Sequence, residues 1–287
     1  EEVICGNGAA EVIFTLCRAV NPKKALIPAP TFAEYGQALA STGCELEYYM
    51  LTENEGFVLG EAYLDILHKG LDMAFLCNPN NPTGTAIKIT DMEKILIHCK
   101  TKGISVMTDE TYIEFSDEID KICSIPLVEK YDNIFVIRGI SKFFAAPGLR
   151  LGYGITSSKK FHDMLAQNQD PWSVNILASY AGEQIFTDTE FIEKTKKLIS
   201  SERKKMYDEI SSWKNVKIYK SASNFMLVKL LTDKVDAAEI FDYMIREKMV
   251  IRDAASFTFL DESFLRFCVL SPEENTKFLT ELKKIVE

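Results

Sequence analysis

Short apolar runs rich in β-branched and aromatic residues punctuate the first half of the chain, at 3–5, 25–28, 45–50, 73–77, 104–107, 134–137 and 151–155. Several of them are apolar at nearly every position rather than every second one. That pattern predicts strands buried on both faces. Between them, apolar residues fall three and four apart, which predicts helices from Gly8-Ala9-Ala10 to about 20, and over 31–42, 61–69, 90–102 and 158–168. Asn21-Pro22, Gly70 and Gly103 stop three of these helices, Thr31 caps one, and Thr90-Asp91-Met92-Glu93 reads as a capping box. Strand and helix in alternation predict an α/β fold, a mostly parallel sheet sandwiched by helices.

The pattern changes after the break Pro171-Trp172-Ser173-Val174-Asn175. A helix is expected over about 176–186, then a long one over about 189–213 with a charged face. Strands at 216–219, 225–229, 249–252 and 264–269 alternate with helices near 235–248 and 271–286, the second opened by Ser271-Pro272-Glu273-Glu274. The expected organisation is a large domain over 1–188 and a smaller C-terminal α+β domain over 189–287 that includes the long linking helix.

Composition narrows the partners. The 287 residues are 47% hydrophobic and 26% charged, with a net charge of -9. The acidic balance argues against nucleic acid or an anionic membrane as partner. No apolar run is long enough for a membrane span, and no signal peptide is visible. The seven cysteines include no C-x-x-C pair and read as reduced core thiols of a cytoplasmic protein. Three dispersed histidines predict no metal site. The chain opens on Glu1 with a motif only a few residues later, so an N-terminal segment is expected to precede it.

Candidate chemistry sits at the ends of the predicted strands, the edge where open α/β sheets bind ligands. Gly6-Asn7-Gly8 turns into a helix N-terminus, which suits a phosphate. Asn78-Pro79-Asn80-Asn81-Pro82-Thr83-Gly84 is a rigid loop after the 73–77 strand. Asp109-Glu110-Thr111-Tyr112 follows the 104–107 strand. Ser141-Lys142 follows 134–137, with Arg150 eight residues further on. A lysine beside a buried strand and aromatic residues is expected in a poor solvent for charge, which favours the neutral, nucleophilic amine. Arg150 is a fixed cation suited to phosphate or carboxylate. Singly, each feature has a plain reading: an ordinary turn, asparagines closing their own loop, an aspartate capping a helix.

Together, in this order and spacing, the asparagine–proline loop, Asp109-x-x-Tyr112, Ser141-Lys142 and Arg150 resemble the class I/II aminotransferases, pyridoxal-phosphate enzymes of fold type I. Pro30-Thr31-Phe32-Ala33-Glu34-Tyr35, Asp109-Glu110-Thr111-Tyr112-Ile113-Glu114-Phe115 and Leu265-Arg266-Phe267 look like the histidinol-phosphate aminotransferase and threonine-phosphate decarboxylase subgroup. The resemblance implies a pyridoxal 5'-phosphate cofactor joined to Lys142 as a Schiff base, with Lys142 also shuttling the proton. It implies Asp109 at the pyridine nitrogen, Asn81 and Tyr112 at the ring 3-oxygen, and Tyr35 stacked on the ring. Gly8, Ala9, Ala10 and Arg150 would hold the cofactor phosphate. Arg266, in the small domain apart from Lys142, would take a substrate anion; Arg252 is a second anion candidate whose plain alternative is a surface salt bridge, and Asn175 a further substrate contact. The family serine three residues before the lysine is Gly139 here, so that phosphate contact is either lost or replaced by Ser141. The implied activity is transamination of a small phosphorylated amine against a 2-oxo acid, in a homodimer. Decarboxylation of threonine phosphate is the alternative, which Pro171-Trp172-Ser173-Val174-Asn175 resembles. A non-catalytic sensor and a dinucleotide-binding protein are weaker readings, the second because Gly6-Asn7-Gly8 lacks the third fingerprint glycine.

Overall fold

Seven strands of the first half form one sheet in the computed structural model, which describes residues 3–287. They are β1 (Val3–Gly6), β2 (Lys24–Ala29), β3 (Glu45–Met50), β4 (Met73–Cys77), β5 (Ser105–Asp109), β6 (Ile134–Gly139) and β7 (Gly152–Ile155), in the order β1-β7-β6-β5-β4-β2-β3. Strand β7 runs antiparallel to both neighbours, and the other pairs are parallel. The continuous apolar runs are explained by two apolar cores. Phe75, Met107, Phe135 and Ile137 face one core with helices Ala9–Val20 and Lys159–Asn168; Ala74, Leu76, Val106, Ile134 and Val136 face the other with helix Ile89–Lys102. Pro28 lies where β2 has already parted from β4, so its missing N–H costs no bond on that side.

The second sheet is antiparallel. Its strands β8 (Val216–Ile218), β9 (Phe225–Leu230), β10 (Arg252–Asp253) and β11 (Phe264–Cys268) lie in the order β10-β11-β9-β8. Helices Thr189–Ile210, Ala237–Arg246 and Pro272–Val286 contribute to its core. Phe115 and Phe143, from loops of the first sheet, pack into that same core. Polar ties join the two parts. Arg203 Nη1 donates to the carbonyls of Phe115 and Ser223, at 3.0 and 2.8 Å, and Glu53 accepts from Lys217, Lys229 and Tyr219.

Several boundaries differ from expectation. The helix expected from Thr90 starts at Ile89 without a side-chain cap; the side-chain capping boxes are Ser271/Glu274, as read, and Asp236/Glu239, which was not. Thr31 caps nothing: its hydroxyl donates to Asn80, and the helix begins at Glu34. The 61–69 helix is one turn, Tyr63–Ile66, since so short a segment has little to pay for nucleation. Of 249–252 only Arg252 pairs, extending to Asp253. Four cysteines are buried, but Cys5 and Cys268 are exposed.

Candidate active site

Strands β4, β5 and β6 deliver the asparagine–proline loop, Asp109 and Lys142 to one edge of the sheet. There they line a cleft together with Ala9, Ala10 and Tyr35. Asn81, Tyr112, Ser141 and Arg150 line the same cleft. The sequence-picked residues therefore converge, apart from Arg252, Arg266 and Asn175, with Gly8 behind Arg150.

Asp109, the last residue of β5, is buried. Its Oδ1 accepts from the Thr111 backbone N–H at 2.9 Å and from the Thr111 hydroxyl; its Oδ2 accepts from the Tyr35 hydroxyl at 2.8 Å. Burial pushes its carboxyl above the ordinary value, against those donors and the Lys142 charge.

At the other end Arg150 adopts a left-handed backbone, and its guanidinium donates to the carbonyls of Pro147 and Asn7, at 3.3 and 3.1 Å. Those are neutral partners, and no carboxylate makes an ion pair with it among the described residues. Gly8, at φ 85, leaves room for that guanidinium: a Cβ would lie 2.2 Å from Nη2. At Gly152 a Cβ would meet the Ala9 backbone N at 2.2 Å, so this glycine lets the turn press onto β7. A fixed cation beside a helix N-terminus makes this end an anion site. At Gly139 an added Cβ would meet only ordinary contacts, the nearest 3.4 Å away, so the fold does not force the glycine.

Lys142 corrects the expectation of a desolvated amine. It is exposed on the cleft wall, and the burial goes to its neighbour Phe143, which packs with Phe115 at 5.2 Å. Its Nζ lies 5.7 Å from the centroid of the Tyr112 ring.

The loop asparagines divide their work. The Asn78 side chain bonds the backbone of Ile87 and Ile122, and Asn80 bonds Pro30 and Thr83, so both hold the loop. Asn81 accepts at Oδ1 from Arg266 Nη1. A guanidinium can only donate, so this bond fixes the amide with Nδ2 as its free end. Arg266 is thus not remote from the cofactor residues, as its place in the second sheet suggested; it reaches across to Asn81. Its guanidinium lies 4.9 Å from the centroid of Phe225, whose ring also packs edge-on against Tyr112 at 5.0 Å, and its Nε is buried without a partner among the described residues. Arg252 stands directly opposite Arg266 in the β10–β11 register, exposed, and donates to Ser256.

Two expectations are revised. Tyr35 is only 1% exposed, with its hydroxyl engaged by Asp109; the half-buried ring on that wall is Phe32, edge-on to Tyr35 at 5.5 Å. Asn175 is occupied at both ends: its Oδ1 caps helix Ile176–Ile185 at Ala178 N, and its Nδ2 donates to the Leu149 carbonyl. Sequence reasoning missed Phe32, Thr111, Cys77 and Phe225. Only the first two carried a signal, from their places in the Pro30-Thr31-Phe32 and Asp109-x-Thr111 stretches.

Asp109 continues into a buried ionic group. Glu110, fully buried, accepts from Arg138 of β6 at 2.8 Å, and Arg138 also reaches Glu114 at 3.5 Å. Burial pushes Glu114 up to about 7, against Arg138, with Glu110 adding to the rise and Lys196 opposing it. A carboxyl raised on folding contributes stability below its unfolded value, near 4.5, and loses it as pH rises through about 7. Glu110 and Asp109, raised by the same burial, act in the same direction. Urea unfolding of the cofactor-free protein is therefore expected to show higher stability at pH 5.5 than at pH 8. Glu114→Gln should remove up to about 2 kcal/mol of that difference, and an unchanged pH slope in this variant would assign the titration elsewhere.

Among the described residues no helix is long and apolar enough to cross a membrane, and no group of three or more His, Cys, Asp or Glu could hold a metal ion. The profile of the family described as "Aminotransferase class I and II" matches residues 1–282. The threonine-phosphate decarboxylase of Salmonella typhimurium is 33% identical over 284 residues, covering 99% of this chain and 77% of that protein. The histidinol-phosphate aminotransferase of Methanococcus aeolicus is 33% identical over 287 residues, covering 99% and 76%. The crystal structure of the histidinol-phosphate aminotransferase from Clostridium acetobutylicum superposes with a TM-score of 0.92 at 30% identity, over 99% of this chain and 83% of that one.

Proposed function

We infer that this chain, which belongs to the aminotransferase class I and II family, transfers the amino group of a small phosphorylated amine to a 2-oxo acid, with pyridoxal phosphate as its cofactor. The observation that carries the reading is one cleft with a buried carboxylate at one end, a cation without an anionic partner at the other, and a lysine on its wall. That donor set fits the cofactor. A ring N–H answers the Asp109 carboxylate, whose burial calls for a cationic or donor partner, and a phosphate answers Arg150 and the helix N-terminus at Gly8, Ala9 and Ala10.

When bound, pyridoxal phosphate supplies an electron sink for negative charge at the substrate Cα. The chain supplies everything else. Asp109 would hold the proton at the ring nitrogen. Asn81 Nδ2, oriented by Arg266, and the Tyr112 hydroxyl would donate to the ring 3-oxygen. Lys142 Nζ would hold the cofactor and, once freed by the substrate amine, would take the proton from the substrate Cα and pass it to the cofactor side rather than back to Cα, which leaves the amino group on the cofactor. We assign the ring face to Phe32 rather than Tyr35. Ser141 stands in for the hydroxyl that Gly139 lacks. Arg266 and Arg252, paired across two strands, would repel each other without an anion between them, which suits the substrate phosphate or carboxylate.

A second reading, decarboxylation of a phosphorylated amino acid, is supported by the Salmonella relative, which is as similar as the aminotransferase one. Supplying histidinol phosphate with 2-oxoglutarate, and separately threonine phosphate with detection of CO2, tests both. Amino transfer to 2-oxoglutarate supports the first reading; CO2 release alone replaces it with the second. The homodimer belongs to the same proposal and is supported by an exposed apolar face: Trp172 is 96% and Ile176 80% exposed, beside Leu177 and Tyr180. A cytoplasmic location fits seven cysteines that form no disulfide.

Arg266→Lys keeps the charge but loses the paired N–H fork. It is expected to lower kcat/KM for the phosphorylated substrate roughly 10- to 100-fold, for a loss of ~1.5–3 kcal/mol of charged hydrogen bonding. Cofactor retention should weaken slightly as well, because Asn81 loses its anchor. Arg252→Ala measured in parallel shows whether the second arginine shares the anion. A kinetically silent Arg266→Lys would place the anion elsewhere.

A further inference from the structure

We propose that Tyr35 is a positioning residue that keeps Asp109 ionised and aimed at the cofactor ring nitrogen, acting through its hydroxyl and never through its ring. The proposal rests on the cofactor reading above. A carboxylate offers about four lone-pair sites. Two, on Oδ1, are filled by the Thr111 N–H and hydroxyl, and a third, on Oδ2, by Tyr35. One site remains, on the same oxygen that Tyr35 holds. Tyr35 thereby sets which lone pair faces the cleft.

The two donors differ in kind. Thr111 is two residues away and would follow Asp109 through any local movement of the turn. Tyr35 stands 74 positions away in sequence, on helix Glu34–Ala40, and ties the carboxylate to the opposite cleft wall. Its ring is clamped by Phe32, edge-on at 5.5 Å, and by Phe75, tilted at 6.1 Å, which leaves the hydroxyl little choice of direction. Burial pushes the Tyr35 hydroxyl well above its ordinary value, so it stays protonated and donates throughout. In a dry site this donor favours the carboxylate over the neutral acid, against the burial that raises Asp109. An ionised Asp109 in turn keeps the proton on the ring nitrogen.

Tyr35→Phe removes one oxygen and leaves the packing. In the cofactor-free protein, carbon-13 NMR of the Asp109 carboxyl should show its titration moving up by about one pH unit or more. With ¹⁵N-labelled pyridoxal phosphate bound, the ring nitrogen should lose its proton at a pH where the wild type retains it. Turnover is expected to fall roughly 10- to 100-fold with KM little changed and the melting temperature within a few degrees. Replacing Tyr35 with 3,5-difluorotyrosine, a stronger donor of the same shape, should move the Asp109 titration the opposite way, which keeps the proposal testable should the phenylalanine variant fold poorly. Titrations of Asp109 and of the ring nitrogen that superimpose on the wild type overturn the role of Tyr35, whatever happens to turnover. A wild-type protein that binds no pyridoxal phosphate overturns the cofactor reading and this proposal with it.

Discussion

Lys142→Ala is expected to reduce turnover by about 10⁴-fold or more, because one side chain both carries the cofactor and moves the proton at the substrate Cα. The fold should not notice. Lys142 is exposed, and no ion pair of this lysine is found among the described residues, so removing it should change stability by less than about 0.5 kcal/mol. The anion site at Arg150 is untouched, and so are the donors on Asp109. Pyridoxal phosphate should therefore still bind, more weakly and without a covalent bond. Equilibrium dialysis would read that binding. Absorbance in the visible would read the loss of the wild-type band, and borohydride reduction followed by peptide mapping would show no lysine trapped. A variant that still traps the cofactor on another lysine would remove Lys142 from the role assigned to it. The exposure of Lys142 sharpens the experiment, since any loss of activity arises at the site and not through unfolding.

The parts of the molecule legible in its sequence were those set by local pattern. Strands such as β4 and β6 are apolar at nearly every position because both faces are covered, and that demand is written residue by residue. The residues at the strand ends were legible for a related reason, since loops at that edge carry chemistry and their prolines, glycines and asparagines stand out. What escaped was set by packing between distant segments. Lys142 was expected in a dry pocket because its neighbours are aromatic, yet Phe143 took the core position and turned the lysine outward. Tyr35 and Phe32, three residues apart where the chain enters helix Glu34–Ala40, differ by which one Asp109 engages, and that contact spans 74 positions. Arg266 belongs to the second sheet by sequence and to the first cleft by reach. Asn175 reads equally well as a ligand and as a helix cap, and only the position of Ala178 N decides.

Asp109→Asn carries the second large effect. The amide has the shape of the carboxylate, and the site becomes easier to bury once the charge is gone. Against that, an NH2 group facing Thr111 would meet its backbone N–H donor against donor, and one facing Tyr35 would require that hydroxyl to accept instead of donate. These changes oppose each other, and the protein should fold, with stability altered by no more than about 1–2 kcal/mol. Chemistry has no such compensation. Without a charge to hold it, the proton leaves the ring nitrogen, and a neutral pyridine is a poor acceptor of the electrons left at the substrate Cα. Turnover is expected to fall roughly 10²- to 10⁴-fold with the covalent link to Lys142 still formed, so visible absorbance separates this variant from Lys142→Ala. Supplying N-methylated pyridoxal phosphate provides a further test, because a methyl group makes the ring nitrogen positive without any partner. It should restore turnover at least about tenfold in Asp109→Asn and bring no gain to the wild type, whose site is already shaped for a proton there. Near-normal turnover in Asp109→Asn would reduce this residue to what its sequence position alone suggests, an acid that closes the turn at Thr111.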